Sequence, residues 1–162
     1  MIEMVKRSQM AHFLNTTPGN GTKTWSRFAV GHESFSTSYN AETETTQYIH
    51  EDSGTTYLKN YAPTVDTTQI AHKGDPIFDF VDDLSFKLAV GSDSVTEYLE
   101  VRTYNATSMT AIPARLFKVS IAISSEGDAA TDPLQREYTL NFQGDPVFGT
   151  FNIDTMTFTQ TA

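Results

Sequence analysis

Four histidines, twenty acidic side chains and no cysteine make up the chain's stock for acid–base, metal or nucleophilic chemistry. His12, His32, His50 and His72 are scattered, and no pair has the helical i, i+4 spacing or the short ligand spacing of a zinc site. They are expected as surface or loop side chains. His50-Glu51-Asp52 offers nitrogen and oxygen ligands, but three neighbours in one flexible segment do not build a rigid centre. Carboxylate pairs such as Asp82 with Asp83, or Glu42 with Glu44, are the residue types of glycoside hydrolysis, which needs two of them at a set separation across a cleft. Spacing along the chain does not fix that separation. With no thiol, no GxSxG elbow and no phosphate-cradling glycine loop, the sequence gives no warrant for an enzyme. The expectation is no catalytic residue, no metal and no cofactor.

Composition narrows the classes further. At 162 residues the chain suits a single domain spanning 1–162, a size that buries roughly 70% of the unfolded surface. A formal charge of -9 argues against binding through phosphate neutralisation. The charge is also uneven. Met1 to Arg27 holds Lys6, Arg7, Lys23 and Arg27 against Glu3, whereas Phe28 to Leu58 holds Glu33, Glu42, Glu44, Glu51 and Asp52 and no lysine or arginine. That asymmetry invites self-association. No apolar run resembles a signal peptide or a membrane span, so the chain is expected to be soluble, made in the cytoplasm and without a membrane partner.

Taken in order, residues of about 1–23 read as an N-terminal arm ending in the turn Asn15-Thr-Thr-Pro-Gly-Asn-Gly21. Trp25 to Tyr39 has the aromatic and β-branched content of half-buried strands. The acidic, threonine-rich stretch that follows reads as strands flanking a long polar loop over about 51–73. The next start signal is clear: Asp75 as N-cap and Pro76 at the first helical position. With Lys87 near the C-terminus and Gly91 as the left-handed terminator, these residues predict a helix over about 76–90. Beyond it the period changes to two at Leu99–Val101, Phe117–Ile123 and Tyr138–Phe142. Gly74-Asp75-Pro76 is echoed by Gly144-Asp145-Pro146, and both read as corner turns, one opening the helix and one the last strand pair. A turn or bulge at Asp154-Thr155 reconciles Phe151 and Ile153 with Met156 and Phe158. The predicted fold is mostly β: an antiparallel β-sandwich or small barrel with one flanking α-helix.

The pieces Lys6–Leu14 (KRSQMAHFL), Thr24–Ile49, Gly74–Leu84 (GDPIFDFVDDL) and Phe142–Phe151 (FQGDPVFGTF) run through most of the chain. Together they resemble the major tail, or tail tube, proteins of long-tailed non-contractile bacteriophages. The resemblance implies a structural virion protein that forms hexameric rings, stacked into a hollow tube for DNA delivery. The implied partners are further copies of the chain, tape-measure proteins, and tail-terminator or tail-tip proteins, with DNA passing through without specific binding. In that setting Glu33, Glu42 and Glu44 are expected to face the lumen. Lys6, Arg7, Lys23, Arg27, Glu51, Asp52, Tyr57 and Tyr61 are expected at contacts between subunits or rings. A secretion-system or bacteriocin tube shares this fold and assembly and is not separated from it. Two other classes stay open: a carbohydrate- or receptor-binding β-sandwich using Trp25, Tyr57, Tyr61 or Tyr104 as a platform, and a hydrolase built on acid pairs.

Overall fold

In the computed structural model, which describes residues 1–162, alternating β-branched and aromatic residues form ten strands and the one stretch of helical period forms the helix. In chain order these are β1 (Met10–Asn15), β2 (Trp25–Arg27), β3 (Ser36–Ser38), β4 (Glu42–Thr46), β5 (Thr55–Asn60), β6 (Thr64–Ile70), α1 (Pro76–Lys87), β7 (Val95–Arg102), β8 (Ile112–Gly127), β9 (Gln135–Asn152) and β10 (Thr157–Gln160). Eight strands make one antiparallel sheet in the order β2-β1-β7-β8-β9-β6-β3, with β10 added on β9; β4 and β5 pair only with each other. The mostly antiparallel β fold with one helix is as the sequence predicts, although the sheet does not close into a barrel.

The sheet buries one face in one half and the opposite face in the other: on β8, Ile112, Ala114 and Leu116 serve one core and Phe117, Val119 and Ile121 the other, while Pro113, Lys118 and Ala122 are exposed. Leu14, Tyr98 and Phe117 are level across β1, β7 and β8, and so are Phe13, Leu99 and Leu116. Adjacent residues of a strand point to opposite sides, so these two rows belong to opposite faces. The first row joins Val65, Val119 and Leu140 beneath Ile77, Val81 and Leu84 of α1. The second joins Ala11, Val101, Ile112 and Phe151, with Trp25 at one end and Met156 and Phe158 at the other. Trp25 on β2 and Phe158 on β10 share this cluster although β1, β7, β8 and β9 lie between them in the sheet. The second core thus runs across the sheet from β2 to β10.

Several segments differ from the sequence reading. Residues 10–15, expected in the arm, form β1, an interior strand between β2 and β7. The expected polar loop of 51–73 is mostly strand: β5 and then β6, which lies between β9 and β3 and buries Val65 completely. Threonine-rich polarity looked like a loop, yet threonine is a good strand former and β6 alternates outward with inward.

Helix α1 starts as predicted, with the Asp75 carboxylate accepting from the Phe78 amide at 3.0 Å. It ends at Lys87, short of residue 90, and Leu88 rather than Gly91 takes the left-handed position, at φ 52. The amides of Leu88 and Ala89 donate back to the carbonyls of Ser85 and Leu84 at 3.2 and 3.1 Å, completing a Schellman motif before Gly91 is reached. Gly91 opens a short 3-10 turn, Gly91–Ser94, instead.

Gly144-Asp145-Pro146 is also not a corner. Leu116 pairs with Val147 and Lys118 with Gln143, so these three residues oppose Phe117 alone, a bulge inside a continuous β9 with Gly144 at φ 70. Because both flanks keep pairing with β8, turn-forming residues bend the strand rather than end it, where β9 passes from the first core to the second. The turn at Asp154-Thr155 is present, with the Asn152 side chain accepting from both amides at 2.9 and 3.2 Å.

Two substitutions test these backbone assignments. Gly31 has φ +78, and a Cβ there would run into the Ile70 carbonyl oxygen, so Gly31→Ala should lose about 2 kcal/mol or more in urea unfolding. Leu88→Gly relieves a left-handed leucine and should gain about 1 kcal/mol. A loss from the second or no effect from the first contradicts the assigned geometry.

Candidate functional site

Three groups of buried polar side chains fasten the sheet to what surrounds it. Glu100, completely buried on β7, accepts from Arg102 Nε at 2.8 Å and from Arg115 Nε and Nη2 at 3.1 and 2.9 Å. Burial alone would push its carboxyl up, but the hydrogen bonds and charges of Arg115 and Arg102 outweigh that and hold it below the usual carboxylate range. Arg115 also donates to the Tyr39 hydroxyl at 2.7 Å, at the foot of the β4–β5 hairpin. Arg136, 2% exposed, bridges Glu126 and Asp82 at 2.6 and 2.7 Å with its guanidinium over Phe78, tying β9 to the end of β8 and to α1. Gln69 donates to the helix-capping Asp75 at 2.9 Å and to the Val30 carbonyl at 3.2 Å.

The histidines divide in two. His12 is buried, not on the surface: on β1 its ring packs tilted against Phe35, hydrogen-bonds the Tyr98 hydroxyl and receives Arg7 at Nε2 at 2.9 Å. It left the surface because residues 10–15 are an interior strand rather than an arm. His32 bonds Thr67 at 2.9 Å. Burial lowers both to about 4, helped at His12 by the Arg7 charge and opposed at His32 by Asp75. His50 and His72 are exposed. No three His, Asp or Glu side chains stand where they could hold one metal ion.

What the chain presents outward is apolar and concentrated. Of seventeen exposed large apolar side chains, thirteen fall in three places. Four are Met1, Ile2, Met4 and Val5, in a segment outside every helix and strand. Six are Tyr39, Tyr48, Ile49, Tyr57, Leu58 and Tyr61, on and around the hairpin; three are Phe86, Leu88 and Val90, at the end of α1. The hairpin's β5 is exposed along its whole length and pairs with β4 alone. It is held internally by the Thr45–Thr56 hydroxyl bond at 2.8 Å and by Glu51, which accepts from the Tyr48 amide at 3.0 Å. A two-stranded ribbon of this kind is marginal in water unless something covers it.

The residues expected at contacts and in a lumen are only partly brought together. Glu42 and Glu44 are exposed neighbours on one face of β4, with Glu42 3.4 Å from Lys59, while Glu33 lies apart in the loop before β3. Tyr57, Tyr61, Glu51 and Asp52 belong to the hairpin or its ends. Of the basic set, Arg7 is an internal strut, donating to the Phe35 and Met10 carbonyls at 3.0 and 2.8 Å, and Lys23 pairs with Glu97 at 2.8 Å. Arg27 reaches the Ser8 carbonyl at 3.5 Å, and the Lys6 side chain stands exposed at the root of the arm. Trp25, a proposed sugar platform, is 6% exposed and part of the second core, and Tyr104 is half-buried. Glu100, Arg115, Arg136 and Gln69 were missed by the sequence reading.

No protein-family model and no curated protein sequence matches the chain. Solved structures do. A chain from the tail of an empty GTA particle, refined helically with C6 symmetry, superposes with a TM-score of 0.59 at 13% identity, covering 90% of this chain and 98% of that one. The extended-state sheath/tube terminator of the PVC extracellular contractile injection system gives 0.52 at 10% identity, over 91% and 97% of the two chains. A chain of the extended PVC sheath-tube complex gives 0.50 at 12%, over 91% and 92%. At these identities the likeness establishes a shared fold, and it does so over nearly the whole length of each partner.

The buried histidines set a pH dependence. A histidine near 6.5 when unfolded and about 4 when folded lets the unfolded chain take up protons that the folded chain refuses. Stability is thus full above about pH 6.5 and falls as pH drops towards 4, by about 3 kcal/mol at most for His12. Tm should decline over that window, and His12→Gln should flatten the decline. An unchanged pH profile in that variant contradicts burial of His12 as a neutral side chain.

Proposed function

We propose that this chain is the tube-forming subunit of a phage-like tail, a structural protein that assembles with its own copies into stacked rings. The observation that carries the reading is the uncovered hairpin. It is ordered within itself, rooted in the Glu100–Arg115 ion cluster through Tyr39, and lies on nothing in its own chain. The fold supports it, since the solved chains it resembles come from a tail and from tube assemblies. The sheet also ends in short strands, β2, β3 and β10, whose outer edges are open. Edge-to-edge pairing of such strands around a ring would satisfy the backbone groups left free in one copy.

Six-fold rings are the finer proposal, in line with the C6 symmetry of the GTA tail. Glu42 and Glu44 occupy one face of β4, while Leu58, level with Thr43, belongs to the other face of the ribbon. The ribbon can therefore turn carboxylates to a lumen and Leu58 to a neighbour. Two unit charges about 10 Å apart in water interact by only roughly 0.4 kcal/mol, so repulsion of a passing DNA depends on repetition around the ring. Tape-measure and terminator partners, DNA delivery, a virion location and the non-contractile type belong to the same proposal. A tube that forms without a sheath protein is the sign of that type.

The removable unit is the hairpin alone, because a cut that ran on through Thr64–Ile70 would take out the core strand β6. The Ala62 amide donates to the Tyr39 carbonyl at 3.1 Å, so Asn40–Tyr61 can be replaced by Asn-Gly, which suits a two-residue turn. The variant should keep the unfolding free energy of the intact chain within about 1 kcal/mol and sediment as a monomer lighter than the 18.0 kDa intact chain, where the intact chain forms large particles. Assembly of the shortened chain at the same concentration would refute the role given to the hairpin.

A further inference from the structure

The apolar arm and the apolar end of α1 fit each other, but not within one molecule. Between the end of α1 and strand β8 runs a groove of about 540 Å³ lined by Leu84, Leu88, Ala89, Val90, Ile121 and Ile123. Leu88 and Val90 stand 82% and 78% exposed at its lip. Leu88 there occupies a left-handed position that glycine would fill with less strain, and it covers nothing of its own chain. The only ionisable side chain in the groove wall is a carboxylate, Glu126.

The arm is complementary mainly in its apolar content. Met1, Ile2, Met4 and Val5 are exposed around the single acid Glu3, and the basic Lys6 follows at the root. Its position rules out its own groove. Met10 pairs with Arg102, and Val101 pairs with Ala114, so the arm leaves the sheet at the start of β8. The groove opens about 25–30 Å further along β8, counting about 3.3 Å per residue. Residues 1–5 span no more than about 18 Å when fully extended, and Arg7, tied to the Phe35 carbonyl, fixes their root. Arm and groove lie at opposite ends of the same strand.

We propose that residues Met1–Val5 of one copy lie in the Leu88–Ile123 groove of the next copy along the stack, a head-to-tail contact that sets the polarity of stacking. The inference rests on the reading of the chain as a self-stacking subunit. A contact between two different patches at opposite ends of one molecule does not close on itself; it propagates. Insertion covers the arm's four apolar side chains and the exposed lip together, and brings Lys6 towards the groove that holds Glu126. It also gives the leucine at position 88 a purpose that the isolated chain does not supply.

Because the chain has no cysteine, the contact can be trapped. Ile2→Cys and Val90→Cys, made as separate variants, mixed and oxidised, should give a cross-linked dimer on a non-reducing gel. Ile2→Cys mixed with Met109→Cys, whose site lies at the arm's own end of the sheet, should not. In parallel, Leu88→Asp at an exposed position should keep the fold and raise the concentration needed for tubes at least tenfold. Tubes or rings by electron microscopy with no Ile2–Val90 cross-link overturn this contact and leave the tube reading standing. A chain that remains monomeric by sedimentation under all conditions overturns both.

Discussion

Apolar surface that a chain cannot cover with its own elements has to be covered by something else, and this constraint organises the whole molecule. The sheet divides its large side chains between two cores, with the Leu14–Tyr98–Phe117 row under α1 and the Phe13–Leu99–Leu116 row in the second core. Each row fills one face of one half of the sheet, with Pro113, Lys118 and Ala122 of β8 exposed on the opposite sides. The exposed apolar residues of the arm, the hairpin and the end of α1 belong to neither core and face outward in three dense groups. A dispersed scatter of exposed leucines would need no explanation; three groups of this kind mark contact surfaces.

The buried charges explain why those surfaces are held in place. Glu100 has no access to water and survives as a carboxylate because two arginines enclose it. One of them, Arg115, reaches out to Tyr39 and so fixes the angle at which the hairpin leaves the body. Arg136 does the same for α1, joining Asp82 on the helix to Glu126 at the end of β8. Removing one partner from such a cluster leaves an uncompensated buried charge. The clusters therefore act as rigid brackets between the core and the projecting elements.

The local signals were the legible ones. Asp75 and Pro76 announced the helix because a cap and a first-turn proline act within four residues, and the odd-numbered run Phe117–Val119–Ile121 announced β8 for the same reason. Long-range partnership was not legible. Glu100 looked outward by alternation because the arginines that pay for its burial include Arg115, on another strand. β6 looked like loop because Thr67 and Gln69 are polar, yet both are buried by partners far away in sequence. Gly144-Asp145-Pro146 has the composition of a turn, and only its register against β8 shows a bulge. Leu88 displaced Gly91 as helix terminator because the Schellman bonds close first. The exposed arm and hairpin residues were visible in the sequence, but their isolation from the core is a property of the fold.

The central claim is that the isolated chain is an incomplete object whose function is to assemble. Electron microscopy of the purified, unmodified protein across a concentration series addresses it most directly. The account predicts rings of uniform diameter with six-fold views that pass into hollow tubes as concentration rises. Monodisperse monomers at every concentration, or irregular aggregates without a common diameter, would contradict it.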